Sequence, residues 1–281
     1  MNNNLISRDV RSEPLKKKPK ALLVEQENDL LIIKINRLQA KNALNRSAVY
    51  ELIAAVEGAT NNKDIKVVVI TGVGDIYTAG NDLKQIQEYK LPEDYYRGAN
   101  YVLRALVKTF IACPKLLVCL VNGPCIGIGF TLSALCDAVY CTRNAYFQTP
   151  FTHLGLCPEA CASWTFPRLF GQSWSTKLLL FGEKLTAEKA KEIGFVLEVF
   201  ELENEQEIEE KFWQKMREYA KLPWESLRTT KRLIREPLEQ ELLRAMNKEL
   251  QEIEKLRRGP VYKQAMETFI QKSLNVNKSK L

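Results

Sequence analysis

His153 is the only imidazole among the 281 residues of this chain, and that scarcity removes most histidine-based metal chemistry. The seven cysteines show no CxxC pair, which argues further against a Cys/His zinc site. Their odd count, and the placing of Cys113, Cys119, Cys125, Cys136 and Cys141 in apolar runs, reads as buried reduced thiols. Long apolar runs are also lacking. The longest, around residues 116–121, falls well short of the roughly 18 residues that span a bilayer. The opening MNNNLISRDVRSEP has no apolar segment of the kind a secretory signal needs.

What is present is an ordinary globular composition, 46% hydrophobic, in a chain long enough for one large domain. The net charge of +7 is partly local, in the LKKKPK cluster at residues 15–20. Such a cluster fits a nuclear-localisation or anion-binding patch, but a solvated basic tail is the commoner explanation. Without aromatic interleaving, nucleic-acid binding is the remote reading.

Branched runs at residues 30–35 and 67–71 read as strands, separated by a helix over 47–60 with Ser47 as its N-cap. A helix over 93–110 ends before Pro114; a buried strand at 116–121, a helix at 130–136 and a strand at 138–141 follow. Alternation of this kind gives an α/β fold. In LTAEKAKEIGFVLEVF, Thr186 caps a short helix, Gly194 stops it, and a strand follows at 195–200. Amphipathic helices at 204–221, 224–235 and 238–271 are separated at Pro223, Pro237 and Gly259-Pro260.

Two glycine turns, YTAGNDL at 77–83 and NGPCIGIG at 122–129, each follow an apolar strand and carry few reactive side chains. Glycine lets a ligand approach the backbone closely, so the chemical tool such turns offer is the N–H group. Brought together, they would hold a developing oxyanion.

With KNALN at 41–45, CDAVY at 136–140 and FQTPFTHLGLCPEA at 147–160, these turns give five segments in register. Over roughly residues 25–272 the chain resembles the crotonase (enoyl-CoA hydratase/isomerase) superfamily, and within it the peroxisomal Δ3,Δ2-enoyl-CoA isomerases. That resemblance implies a crotonase-like spiral of ββα units with a helical C-terminal subregion. It divides the chain into a basic tail (1–24), a catalytic core (25–222), a C-terminal helical oligomerisation region (223–272) and a final tail (273–281).

The resemblance also implies an acyl-CoA site in which the backbone N–H groups of Asn81 and Ile128 hold the thioester oxygen, with no need for their side chains. Ala79, Gly80, Asn81, Asp82, Leu83 and Gly127 are the implied substrate-binding residues. Lys84 is placed to reach a CoA phosphate or simply to be solvated. The two glutamates of the hydratases are replaced here by Thr131 and Phe151. Glu159, after Pro158, is then the one matched carboxylate, implied to move a proton from C2 to C4 of a 3-enoyl-CoA. On its own, Glu159 reads more readily as a helix-starting carboxylate; its register with both glycine turns reverses that preference. An apolar setting would raise its pKa toward neutrality. Ala160 stands where the family motif has glycine, a change that would narrow the pocket if that residue contacts the acyl chain. His153 is expected to be a hydrogen-bonded scaffold residue, and Asp137 a turn tie.

No cofactor or metal is implied, coenzyme A being part of the substrate. Ser279-Lys280-Leu281 matches a peroxisomal address read by an import receptor, giving a matrix location, and the resemblance implies a homo-oligomer, commonly a trimer. A hydratase or thioesterase of the same fold, or a non-catalytic acyl-CoA-binding protein, are the competing readings.

Overall fold

A computed structural model describes residues 20–88, 92–201 and 205–278, so Ser279, Lys280 and Leu281 lie outside the described residues. Nine strands among the described residues form two sheets. Strands β1 (Leu22–Glu27), β2 (Leu30–Ile35), β3 (Val67–Gly72) and β4 (Leu116–Val121) build most of the larger one. Next come β5 (Cys125–Ile126), β6 (Ala138–Thr142), β7 (Tyr146–Gln148), β8 (Leu185–Thr186) and β9 (Val199–Phe200). The six-stranded sheet has the order β1-β2-β3-β4-β6-β9, and β5-β7-β8 form a three-stranded sheet. All pairings in the larger sheet are parallel except β1 with β2. This is the α/β architecture that the alternation of strands and helices implied.

Sequence alternation in β2, β3 and β4 divides the core in two. Leu31, Ile33, Val68, Ile70, Leu117 and Cys119 feed the larger apolar cluster, while Leu30, Ile32, Val67, Val69, Val118 and Leu120 feed the smaller. Being buried on both faces, these strands are continuous runs of branched residues. Strand β1 escapes a sequence reading because it is an edge strand, exposed along Leu23 to Gln26.

Helices α1 (Arg46–Asn61), α2 (Pro92–Ala112), α3 (Ile128–Ser133) and α4 (Ala162–Ser175) supply residues to the larger cluster, followed by α5 (Ala187–Glu192). The N-cap of α1 is Asn45, whose side chain accepts from Ala48 N–H at 2.9 Å; Ser47, the expected cap, lies inside the helix. Of the strand expected at 195–200 only Val199 and Phe200 pair, because Phe195 and Val196 donate to Ala190 and close α5.

Helices α6 (Glu205–Ile208), α7 (Gln214–Ala220), α8 (Trp224–Arg258) and α9 (Pro260–Lys278) complete the chain, α6 and α7 being joined by a wider i→i+5 turn. The break expected at Pro237 does not occur. The carbonyl that loses its partner there belongs to Leu233, a residue 64% exposed, so water can satisfy it. Further along, Leu242, Met246, Leu250 and Ile253 hold α8 by their burial. No described helix is long and apolar enough to cross a membrane. All seven cysteines are free, six of them buried.

Candidate functional site

The KNALN segment forms the wall on which the first glycine turn is built. Ala79 N–H donates to Lys41, Leu44 N–H to Gly80 and Asp82 N–H to Leu44, while Gly80 N–H is held by the Thr78 hydroxyl at 3.1 Å. Asn42 is fully buried, takes φ 54°, and donates to the carbonyls of Val73 (3.0 Å) and Ile76 (2.7 Å). Every amide from Ala79 to Asp82 is thus engaged except that of Asn81, which donates to no described residue.

The second turn is tied to the first. Thr78 N–H donates to Pro124, Ile126 N–H donates to Thr78, and Gly127 N–H donates to Gln148 in the smaller sheet. Gly80 takes φ 89°, and a methyl group there would stand 2.9 Å from the Ile126 carbonyl oxygen and 3.8 Å from Gly127 Cα. The two turns therefore touch along their backbones. Ile128 begins α3, and its N–H likewise donates to no described residue. First-turn amides of a helix have no intrahelical acceptor, which leaves this one free for a ligand.

Asn81 and Ile128 line one cavity of about 320 Å³, together with Ala79, Gly80, Leu83 and Gly127. Asp82 does not. Of the six residues expected to bind substrate it is the exception, because its carboxylate pairs with Arg37 at 2.9 Å and pins the back of the turn. Lys84 is exposed.

Glu159 lies in the same wall, 4% exposed, and is the only carboxylate among the described lining residues. Its Oε1 accepts from the Asn81 side-chain amide at 3.1 Å, so that side chain contacts the carboxyl as well. Burial pushes its pKa up to about 7; the Arg257 guanidinium opposes this, Glu249 reinforces it, and the Asn81 hydrogen bond opposes it. A carboxyl poised at that value can take up and return a proton near neutrality.

Glu159 does not start the following helix. Ala160 and Cys161 intervene with φ 53° and 66°, and the N-terminus of α4 is capped by Glu249 of α8, which accepts from Cys161 N–H (2.7 Å) and Ser163 N–H (2.8 Å). Thr131 is fully buried with its hydroxyl on the Ile128 carbonyl, and Phe151 lines the cavity. Neither supplies an acid or base. His153 is exposed at the cavity edge and makes no hydrogen bond to a described residue, contrary to the scaffold role expected of it. Asp137, expected to tie a turn, instead makes long-range ties: it accepts from Leu117 N–H of β4 at 2.8 Å and pairs with Lys231 and Arg235 of α8.

Arg257 was not foreseen. It is 7% exposed, lines the cavity, and donates to Asn100 at 2.7 Å, while its Nε has no partner. A signal existed: Leu242, Met246, Glu249, Leu250, Ile253 and Arg257 recur at helical spacing, so two charged residues occupy positions on an apolar stripe. Among the described residues no group of three or more His, Cys, Asp or Glu could hold a metal ion.

A family profile described as Enoyl-CoA hydratase/isomerase matches residues 25–278. Enoyl-CoA delta isomerase 2 of Rattus norvegicus is 44% identical over 232 residues, covering 82% of this chain and 58% of that protein. Enoyl-CoA delta isomerase 3, peroxisomal, of Mus musculus is 38% identical over 224 residues, covering 79% of this chain and 69% of its own length. The chain therefore spans less than two thirds of the rat relative. A crystal structure of an enoyl-CoA hydratase/isomerase from Pseudoalteromonas atlantica T6c superposes with a TM-score of 0.81 at 34% identity, covering 90% of this chain and 98% of the other.

Proposed function

This chain belongs to the enoyl-CoA hydratase/isomerase family, and on that premise we propose that it converts 3-enoyl-CoA thioesters to trans-2-enoyl-CoA. Glu159 removes a proton from C2. The negative charge that moves onto the thioester oxygen is received by the N–H groups of Asn81 and Ile128, both left free by the fold around them. Glu159 then returns the proton at C4, which leaves the double bond conjugated with the thioester. Preorganised donors of this kind each contribute about 3–4 kcal/mol to lowering such a barrier.

The observation that carries this reading is the single carboxylate among the described residues of a wall that also bears both free amides. One base serving both carbons needs no second acid. Adding water calls for more, and Thr131 and Phe151 occupy the positions from which the hydratases supply it. The relatives named enoyl-CoA delta isomerase support the same choice. Incubating the protein with 3-enoyl-CoA tests it: the conjugated 2-enoyl thioester should accumulate. Accumulation of a 3-hydroxyacyl-CoA or of free CoA would contradict it.

The reading extends to unsaturated fatty-acid oxidation in the peroxisomal matrix, supported by the name of the mouse relative. It also includes a homo-oligomer, for which the exposed Leu233 and Ile234 of α8 offer an apolar surface.

A further inference from the structure

Directly after Glu159 the backbone does something that L-amino acids resist. Ala160 and Cys161 both adopt the left-handed region, φ 53° and 66°, in succession and without a glycine. Each such residue brings its Cβ against the following carbonyl, so the conformation persists only where the surroundings enforce it. The next residues open α4, whose N-cap, Cys161, has no side-chain acceptor of its own for the first amides.

Both requirements are met from one distant residue. Glu249, 5% exposed and carried by α8, accepts from Cys161 N–H at 2.7 Å, from Ser163 N–H at 2.8 Å and from the Ser163 hydroxyl at 2.6 Å. Three donors converge on one carboxylate, each bond charge-assisted when it is ionised. The second left-handed residue is thus held by its own N–H. Glu249 is itself anchored, since its helix neighbours Met246, Leu250 and Ile253 are buried.

We propose that Glu249 is a positioning residue that holds the left-handed Ala160–Cys161 backbone and so fixes the Glu159 carboxylate beside Asn81 and the cavity. The inference rests on the role of Glu159 proposed above. It explains how this chain carries alanine at 160: the strain a glycine would avoid is offset by the bonds to Glu249. Burial pushes the Glu249 carboxyl up to about 7, with the Ser163 and Cys161 bonds opposing, so its contribution is full when it is ionised.

The test is a double-mutant cycle of Glu249→Gln with Ala160→Gly, assayed with 3-enoyl-CoA on the alkaline plateau of the pH profile. Glutamine keeps the shape but places an amide against one of the donors. In the parent background kcat should fall about tenfold or more with KM within about twofold, as loss of a charged hydrogen bond predicts. In the Ala160→Gly background, where the left-handed turn needs less enforcement, the same substitution should cost less than about threefold.

An unchanged kcat in folded Glu249→Gln protein would overturn the proposal, as would an equal penalty in both backgrounds. Should Glu249→Gln fail to fold, Ser163→Ala removes a single donor and should lower kcat about two- to threefold at constant KM; no change there also overturns it. Glu159→Gln, assayed alongside, separates the two ideas. Activity surviving in that variant defeats the catalytic reading itself, whereas its loss together with an unaffected Glu249→Gln defeats only the positioning role.

Discussion

The Asn81 side chain donates to Glu159 Oε1 at 3.1 Å while its backbone N–H stays unpaired among the described residues, so one residue joins the first glycine turn to the buried carboxyl. The two functions separate cleanly by mutation. Asn81→Ala keeps the backbone donor and loses only the amide, and should lower kcat about tenfold. Because that hydrogen bond favours the ionised carboxylate, the acid limb of the kcat/KM profile should also move to higher pH. A pH–rate series on the variant checks both.

Activity should track the ionisation of Glu159. With its pKa pushed up to about 7, the base is protonated and idle in acid, so kcat/KM should rise as pH increases through about 7 and then level off. An acid limb centred near the ordinary carboxylate value of 4.5 would show that burial does not act as described.

The same shift costs stability. A carboxyl whose folded pKa lies above its unfolded value binds its proton more tightly when folded, so stability falls as pH rises from about 4.5 to about 7 and stays reduced above it. Glu159→Gln removes this group. At pH 8 the variant should be more stable than the parent by on the order of 3 kcal/mol, and the gap should close below about pH 4.5. Thermal melts at the two pH values measure it.

Gly80→Ala tests the contact between the turns. At φ 89° an L side chain is strained, and the new methyl would meet the Ile126 carbonyl oxygen at 2.9 Å, forcing the turns apart. Misplacing a donor in this way should reduce kcat by about 10²-fold or more, with far-ultraviolet circular dichroism unchanged.

Asn42 should matter for stability rather than chemistry. It satisfies the carbonyls of Val73 and Ile76 and accepts from Arg37 N–H at 2.9 Å, all from a fully buried position. Asn42→Ala strands these groups, for a loss of about 2–4 kcal/mol. A melting temperature lower by about 5–10 °C is expected.

The two glycine turns and the buried strands were legible in the sequence because local chemistry dictates them: glycine where backbones touch, branched runs where both faces are buried. Glu159 was singled out only through the resemblance, since its burial beside Asn81 depends on contacts distant in sequence. Asp82 adjoins Asn81 in sequence, yet its carboxylate pairs with the distant Arg37 and does not line the cavity, a contact no local pattern announces. Arg257 and Glu249 were missed although they fall on the apolar stripe of α8, since charge at such a position gains meaning only when its distant partners are known. Pro237 shows the converse. A strong local breaker was tolerated where the orphaned carbonyl faces solvent and later residues anchor the helix.

The most direct measurement compares the parent protein with Glu159→Gln in an absorbance assay for the conjugated thioester formed from 3-enoyl-CoA, with CoA-ester binding followed in parallel. Glu159 as the sole proton carrier predicts that conversion disappears while binding stays within a few-fold, a loss confined to kcat. Conversion by the variant at the parental rate would contradict the account.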